Sequence, residues 1–177
     1  MEAPVTHPWD QAVRLHELGR GTLSLRLEPD AAARAKIAKE LGLVSLPALT
    51  ARLTLKPWMD GVEITGRFDA VVEQTSAVSL ENFEQPLAGE IEVRAVPTGS
   101  PHAQAPEGGE IDYDPDAPDP PDILESDSVD LAGYVVEHLA LEIDPFARKP
   151  GEEFDFQPPA ETESPFAVLK KLKGQEP

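Results

Sequence analysis

Five cations, Arg26, Arg52, Lys56, Arg67 and Arg94, each fall on the polar parity of a segment in which apolar and polar residues alternate. Period-two alternation is the signature of a strand with one face on a core and one in water. Aligned across neighbouring strands, these side chains would form a basic stripe of the kind that holds phosphate groups. Glu63, Asp69, Glu73, Glu90 and Glu92 share the same parity, so an ordinary solvated face is the competing reading. Other chemistry has less behind it. His7, His16, His102 and His138 are scattered without metal-ligand spacing, and Glu137-His138 does not extend to HExxH. Carboxylates are so numerous that a chance acid–base pair among them is not diagnostic. No phosphate-binding loop, dinucleotide fingerprint or nucleophile elbow occurs. The expectation is a protein that is not an enzyme and uses no cofactor or metal.

The stretch Asp60–Pro97 has to position most of those cations. Val62, Ile64, Phe68, Ala70 and Val72 point one way and Glu63, Thr65, Arg67, Asp69 and Glu73 the other, with Gly66 predicting a bulge or bend in one long strand. Leu87, Ile91, Val93 and Ala95 repeat the rule, and residues 76–85 between them predict a short strand, a turn near Glu81–Asn82 and a return. Upstream, Leu23, Leu25 and Leu27 mark one strand, and Leu49, Ala51, Leu53 and Leu55 mark another. The Asp60-Gly61 turn makes the second of these the hairpin partner of the run from Val62. Trp58, Phe83 and Tyr113 fall in expected turns or loops, where an aromatic can anchor an interaction, although Trp58 also suits a lid on one end of the core.

Helices punctuate the strands. Pro29-Asp30 opens one over Ala31–Leu41, stopped by Gly42. A second, capped by Asp127 or Ser128, carries Ala132, Val135, Val136, Leu139, Ala140 and Ile143 at i, i+3, i+4, i+7 spacing and ends at Asp144-Pro145. Asp10–Leu18 predicts a short helix or strand extension that packs Trp9, and Ile123-Leu124 a short edge strand. Phe146–Phe156 predicts an extended strap. Ser164-Pro165 opens a last helix with Phe166, Leu169 and Leu172 on one side and Lys170, Lys171 and Lys173 near its end. The expected fold is α+β: a bent antiparallel sheet or partial β-barrel braced by two or three helices, with a long acidic disordered loop.

At 177 residues the chain is most simply one domain, residues 1–177, with a C-terminal tail over 157–177. Its 33 acidic and 15 basic side chains give a net charge of −18, of which −14 lies in residues 98–177. Bulk attraction to nucleic acid is excluded by that balance, and a basic protein is the more natural counterpart. Residues 97–122, rich in proline, glycine, aspartate and glutamate, predict a mobile acidic insertion. The absence of cysteine removes disulfides, thiol redox chemistry and cysteine zinc sites. The opening MEAPVTHPWDQ has neither a basic nor an apolar leader region, and no run approaches the ~18 apolar residues of a membrane span. These features predict a cytoplasmic protein with no membrane and no small-molecule substrate.

Several runs together give the sequence a likeness: Ile64-Thr65-Gly66-Arg67-Phe68; Gln74-Thr75-Ser76 through Leu80-Glu81 with Phe83; Val129–Gly133 leading to Leu141-Glu142-Ile143-Asp144-Pro145; Arg148–Gly151; and Ser164–Leu169. With them the chain resembles the large ribosomal RNA subunit accumulation proteins, YceD, in an alphaproteobacterial form. Gly66, Gln74, Thr75, Ser76, Leu80, Phe83, Asp144 and Pro145 are the positions that carry the resemblance. Many members have cysteine after the Gln-Thr pair, where this chain has Ser76, so no redox or metal role at that position transfers. The resemblance implies a part in accumulation or maturation of 23S ribosomal RNA. Its expected partner is a precursor large-subunit particle, through rRNA, a basic ribosomal protein, or both.

Overall fold

The strong alternation of the middle third produces three long strands, and everything else packs around them. The computed structural model describes residues 9–19, 21–103 and 120–153. Along these residues run β1 (Ala12–Arg14), α1 (Leu15–Leu18), β2 (Leu23–Leu27), α2 (Ala31–Glu40), β3 (Ser45–Trp58), β4 (Gly61–Thr75), β5 (Asn82–Pro97), β6 (Asp122–Leu124), β7 (Ser128–Asp130) and α3 (Leu131–Glu142). A five-stranded sheet has the order β2-β3-β4-β5-β6, and β1 pairs with β7 in a separate two-stranded ribbon. The order runs from edge to edge without closing, so the described residues form an open sheet, not a closed barrel. Nor is it wholly antiparallel, because β6 runs parallel to β5. A parallel neighbour needs a long return connection, and residues 98–121 supply one.

The inward residues are those the alternation marks. Leu49, Ala51, Leu53 and Leu55 of β3 and Val62, Ile64, Phe68, Ala70 and Val72 of β4 are buried. The turn between these strands consists of Met59 and Asp60, with Met59 at φ 52° and Trp58 opposite Gly61. Gly66 causes no bulge: the register passes through it unbroken, opposite Leu53 on one side and Ile91 on the other. A Cβ there would lie 2.2 Å from the Arg52 carbonyl oxygen, so glycine is needed for close approach of two strands. The register shift falls instead between Ser45 and Ala48, where Pro47 has no N–H for the ladder.

Other expectations move by a few residues. No extra strand forms within 76–85. Asn82 already pairs with Thr75, and the turn lies over residues 76–81, with Leu80 at φ 61°. Phe83 is therefore a buried strand residue and not a loop anchor. The cap of α3 is Asp130, whose side chain accepts from Gly133 N at 3.0 Å. Pairing of Ser128–Asp130 with Ala12–Arg14 keeps those residues extended and delays the helix. Leu131, Ala132, Val135 and Leu139 then bury against the inner face of β4 and β5, while Ala140 faces out. Asp10–Leu18 holds both a strand and a helical turn, and Trp9 is buried.

Beyond α3 the chain is not an extended strap: residues 145–146 and 150–151 are turns, and residues 154–156 of that stretch, with the expected C-terminal helix, lie outside the described residues. Of the acidic insertion, residues 98–103 are tied down. Thr98 Oγ1 donates to Leu124 O at 2.7 Å and Ser100 Oγ to Asp60 Oδ1 at 2.9 Å. Residues 104–119, including Tyr113, are outside the described part.

The helix α2 forms as expected. Asp30 caps it, accepting from Ala33 N at 2.8 Å, and Gly42 leaves it at φ 68°. Its Ile37 is fully buried against β3. Asp30→Ala removes the acceptor for an orphan helix amide and should cost about 1 kcal/mol. The denaturation midpoint should fall at an unchanged m value.

Candidate nucleic-acid interface

Residues directly opposite one another in an antiparallel ladder share a face, so register decides which of the five cations meet. Arg26 lies opposite Arg52, and Arg52 opposite Arg67, giving three guanidinium groups in one row across β2, β3 and β4. Strand spacing sets their backbones about 5 Å apart. The next position in the row, on β5, is Glu90. All three arginines are exposed. Like charges directly opposite are unfavourable in a sheet, so strand pairing alone does not favour this row.

The row is only lightly neutralised. Arg26 Nη2 lies 3.2 Å from Glu28 Oε2, and Arg52 Nη1 lies 3.9 Å from Asp69 Oδ2. More than half of each of those four side chains is exposed, and such pairs contribute little. Among the described residues Arg67 makes no ion pair. Planar guanidinium groups present forked donors that match phosphate oxygens, which makes the row a physically reasonable anion contact.

Lys56 and Arg94 do not join it. They flank Glu63 in a separate row, Lys56 opposite Glu63 and Glu63 opposite Arg94. Arg94 is held there by Glu63 at 3.1 Å and Glu92 at 3.8 Å, and its guanidinium lies 5.6 Å from the centre of the Trp58 ring. It is a clamped side chain that braces Trp58 at the strand end. Of the five expected contacts, then, three are brought into line and two are not.

A second cluster gathers the family-motif residues. Ser76, fully buried at the tip of the β4–β5 hairpin, donates its hydroxyl to Glu152 Oε2 and accepts from Val78 N at 3.1 Å and Ser79 N at 3.3 Å. Glu152 also accepts from Lys149 N at 3.2 Å. The bond from Ser76, then one from Ser79, hold the Glu152 carboxyl below its ordinary range. Lys149 Nζ donates to Glu81 Oε2 at 2.8 Å, and that bond raises the lysine above its usual value. Ala77 N bonds to Ala147 O at 2.9 Å, and Gln74 Nε2 to Asp144 O at 3.1 Å. Thr75 Oγ1 donates to Asn82 Oδ1 at 3.0 Å and closes the hairpin. Pro145 and Phe146 then turn the chain, with Phe146 N bonded to Asp144 Oδ1 at 2.8 Å.

This cluster is a latch between two distant runs of sequence, and the Ser76 hydroxyl bonded to Glu152 is fully buried within it. Glu152 was not among the residues that sequence reasoning selected. The Lys149-Pro150-Gly151 turn signal beside it marks a bend without saying what the bend meets. Among the described residues no three His, Asp or Glu side chains converge as a metal site, and no helix is long and apolar enough to cross a membrane.

A family model described as "Large ribosomal RNA subunit accumulation protein YceD" matches residues 64–173. The match takes in Arg67, the hairpin tip, the turns after α3 and α3 itself, and begins after Arg26 and Arg52. Comparison with curated proteins and with solved structures returned no match.

Proposed function

Because this chain belongs to the family of large ribosomal RNA subunit accumulation proteins, YceD, we propose that it is a non-enzymatic factor in large ribosomal subunit biogenesis, supporting accumulation or maturation of 23S ribosomal RNA in the cytoplasm. The family match carries this reading, and the row of Arg26, Arg52 and Arg67 supplies a surface for it. With a net charge of −18, most of the molecule repels RNA. Contact is then confined to one strip, giving weak, salt-sensitive binding suited to a factor that leaves the particle. The chain should co-sediment with precursor large-subunit particles, and its loss should lower 23S relative to 16S rRNA. Migration only in free fractions, with a normal rRNA ratio, would rule the reading out.

A second reading, an acidic module that holds a basic ribosomal protein, is favoured by the net −14 of residues 98–177. It predicts salt-sensitive binding to an isolated basic protein that survives charge reversal at Arg52 and Arg67 and is lost on deleting residues 107–122.

A further inference from the structure

On the helix side of the sheet, a cleft of about 480 Å³ runs between α3, β6 and the end of α2. Its floor is apolar: Leu41, Ile123, Leu124, Val136 and Ala140 line it, and Ile123 is 52% exposed. Its rim carries Glu40, Glu125 and Glu137, all exposed, and no lysine, arginine or histidine lines it. Of the two hydroxyl-bearing residues that line it, Ser128 and Tyr134, the second already donates to Asp122 Oδ2 at 3.0 Å. Burial and that neighbouring carboxylate both push the phenol pKa up, so it stays a neutral donor.

We propose that this cleft is a docking groove for a basic amphipathic segment of a protein partner. The lining positions Gly133–Ala140 of α3 span about 10 Å, two turns of helix, which matches the anchor spacing of an amphipathic segment laid in a groove. The floor would take its apolar side chains, and the rim its lysines or arginines. Charge argues for the same occupant, since the carboxylates of Glu40, Glu125 and Glu137 on the rim attract cationic segments and repel RNA and anionic membranes. A small polar ligand fits less well, because the polar groups here are rim carboxylates and not converging donors. The inference extends the second reading above, since it names where a basic protein would sit, and it does not use the arginine row.

The test uses the full chain and a synthetic twelve-residue peptide of leucine and lysine with apolar residues at i, i+3, i+4 and i+7, followed by fluorescence anisotropy. Binding should weaken at least tenfold in Ala140→Lys and in the double variant Glu125→Lys/Glu137→Lys, with thermal midpoints near that of the parent, and Arg52→Glu should leave it unchanged. A peptide with glutamate in place of lysine should not bind. The proposal is overturned if Ala140→Lys binds as the parent does, or if the Glu peptide binds equally. It is also overturned if reversing Lys170, Lys171 and Lys173 raises peptide affinity tenfold, because the groove would then belong to the chain's own C-terminal segment. Co-sedimentation with precursor particles is a separate readout, so either result can fail while the other stands.

Discussion

Arg52→Glu should make the protein more stable and a poorer RNA binder at the same time. Arg52 is the centre of the row, with Arg26 opposite on one side and Arg67 on the other. A glutamate there turns two like-charge cross-strand pairs into two opposite-charge pairs, each worth about 0.2–1 kcal/mol. Among the described residues the ion pair given up is the exposed contact with Asp69 at 3.9 Å, which contributes little. The midpoint of denaturation should therefore rise, more so at low salt. RNA affinity should move the opposite way. Losing one phosphate contact lowers the slope of log affinity against log salt by about 0.7 on single strands, and the new negative charge adds repulsion. We expect a loss of tenfold or more at low salt with weak sequence dependence, because phosphate contacts position RNA without reading it. A merely solvated face would show the stability gain alone, with the affinity and the salt slope untouched.

The same row shows how far the sequence carried. Parity told which side chains face water, because the side-chain period of a strand is two whatever its neighbours are. It therefore marked Ile64, Phe68 and Leu53 as core and all five cations as outward. Register was not legible to the same depth. Whether Arg52 meets Arg67 or Glu63 depends on the turn between the strands. A two-residue loop at Met59-Asp60, with Trp58 opposite Gly61, fixes Arg52 against Arg67 and Lys56 against Glu63. The expected Asp60-Gly61 turn was one residue out of place, enough to leave the alignment undecided. Long-range features were harder still. Nothing local to Ser128–Asp130 announces that it pairs with β1, so the start of α3 was placed too early. Nothing local to Ser76 or Glu152, which lie 76 positions apart, announces that they bond. The groove along α3 has the same origin, since it exists only where α2, α3 and β6 come together in space.

The latch yields the second large effect. Ser76→Ala removes a fully buried hydroxyl that serves three partners: the Glu152 carboxylate and the amides of Val78 and Ser79. Leaving such groups without a partner costs about 1–3 kcal/mol. The loss should concentrate at the hairpin tip, seen as faster amide exchange at Ala77 and Lys149, while the β3–β4 ladder keeps its protection. Ser76→Cys should fall between parent and alanine, because a thiol fills the site but donates and accepts weakly. Acid should act on the same latch. Glu152 has its carboxyl pKa depressed in the folded state, so its contribution is complete above the ordinary carboxylate value and is lost as pH falls through the lower, folded one. Exchange at Ala77 and Lys149 should accordingly quicken as pH drops below the ordinary carboxylate range, after correction for intrinsic rates, and Glu152→Gln should flatten that dependence. Since Leu80 is held at φ 61° and 78% exposed in the same turn, a loosened latch should also change how that side chain is presented. An alanine variant that kept parental exchange at the tip would show that the two motif runs lie together without holding each other.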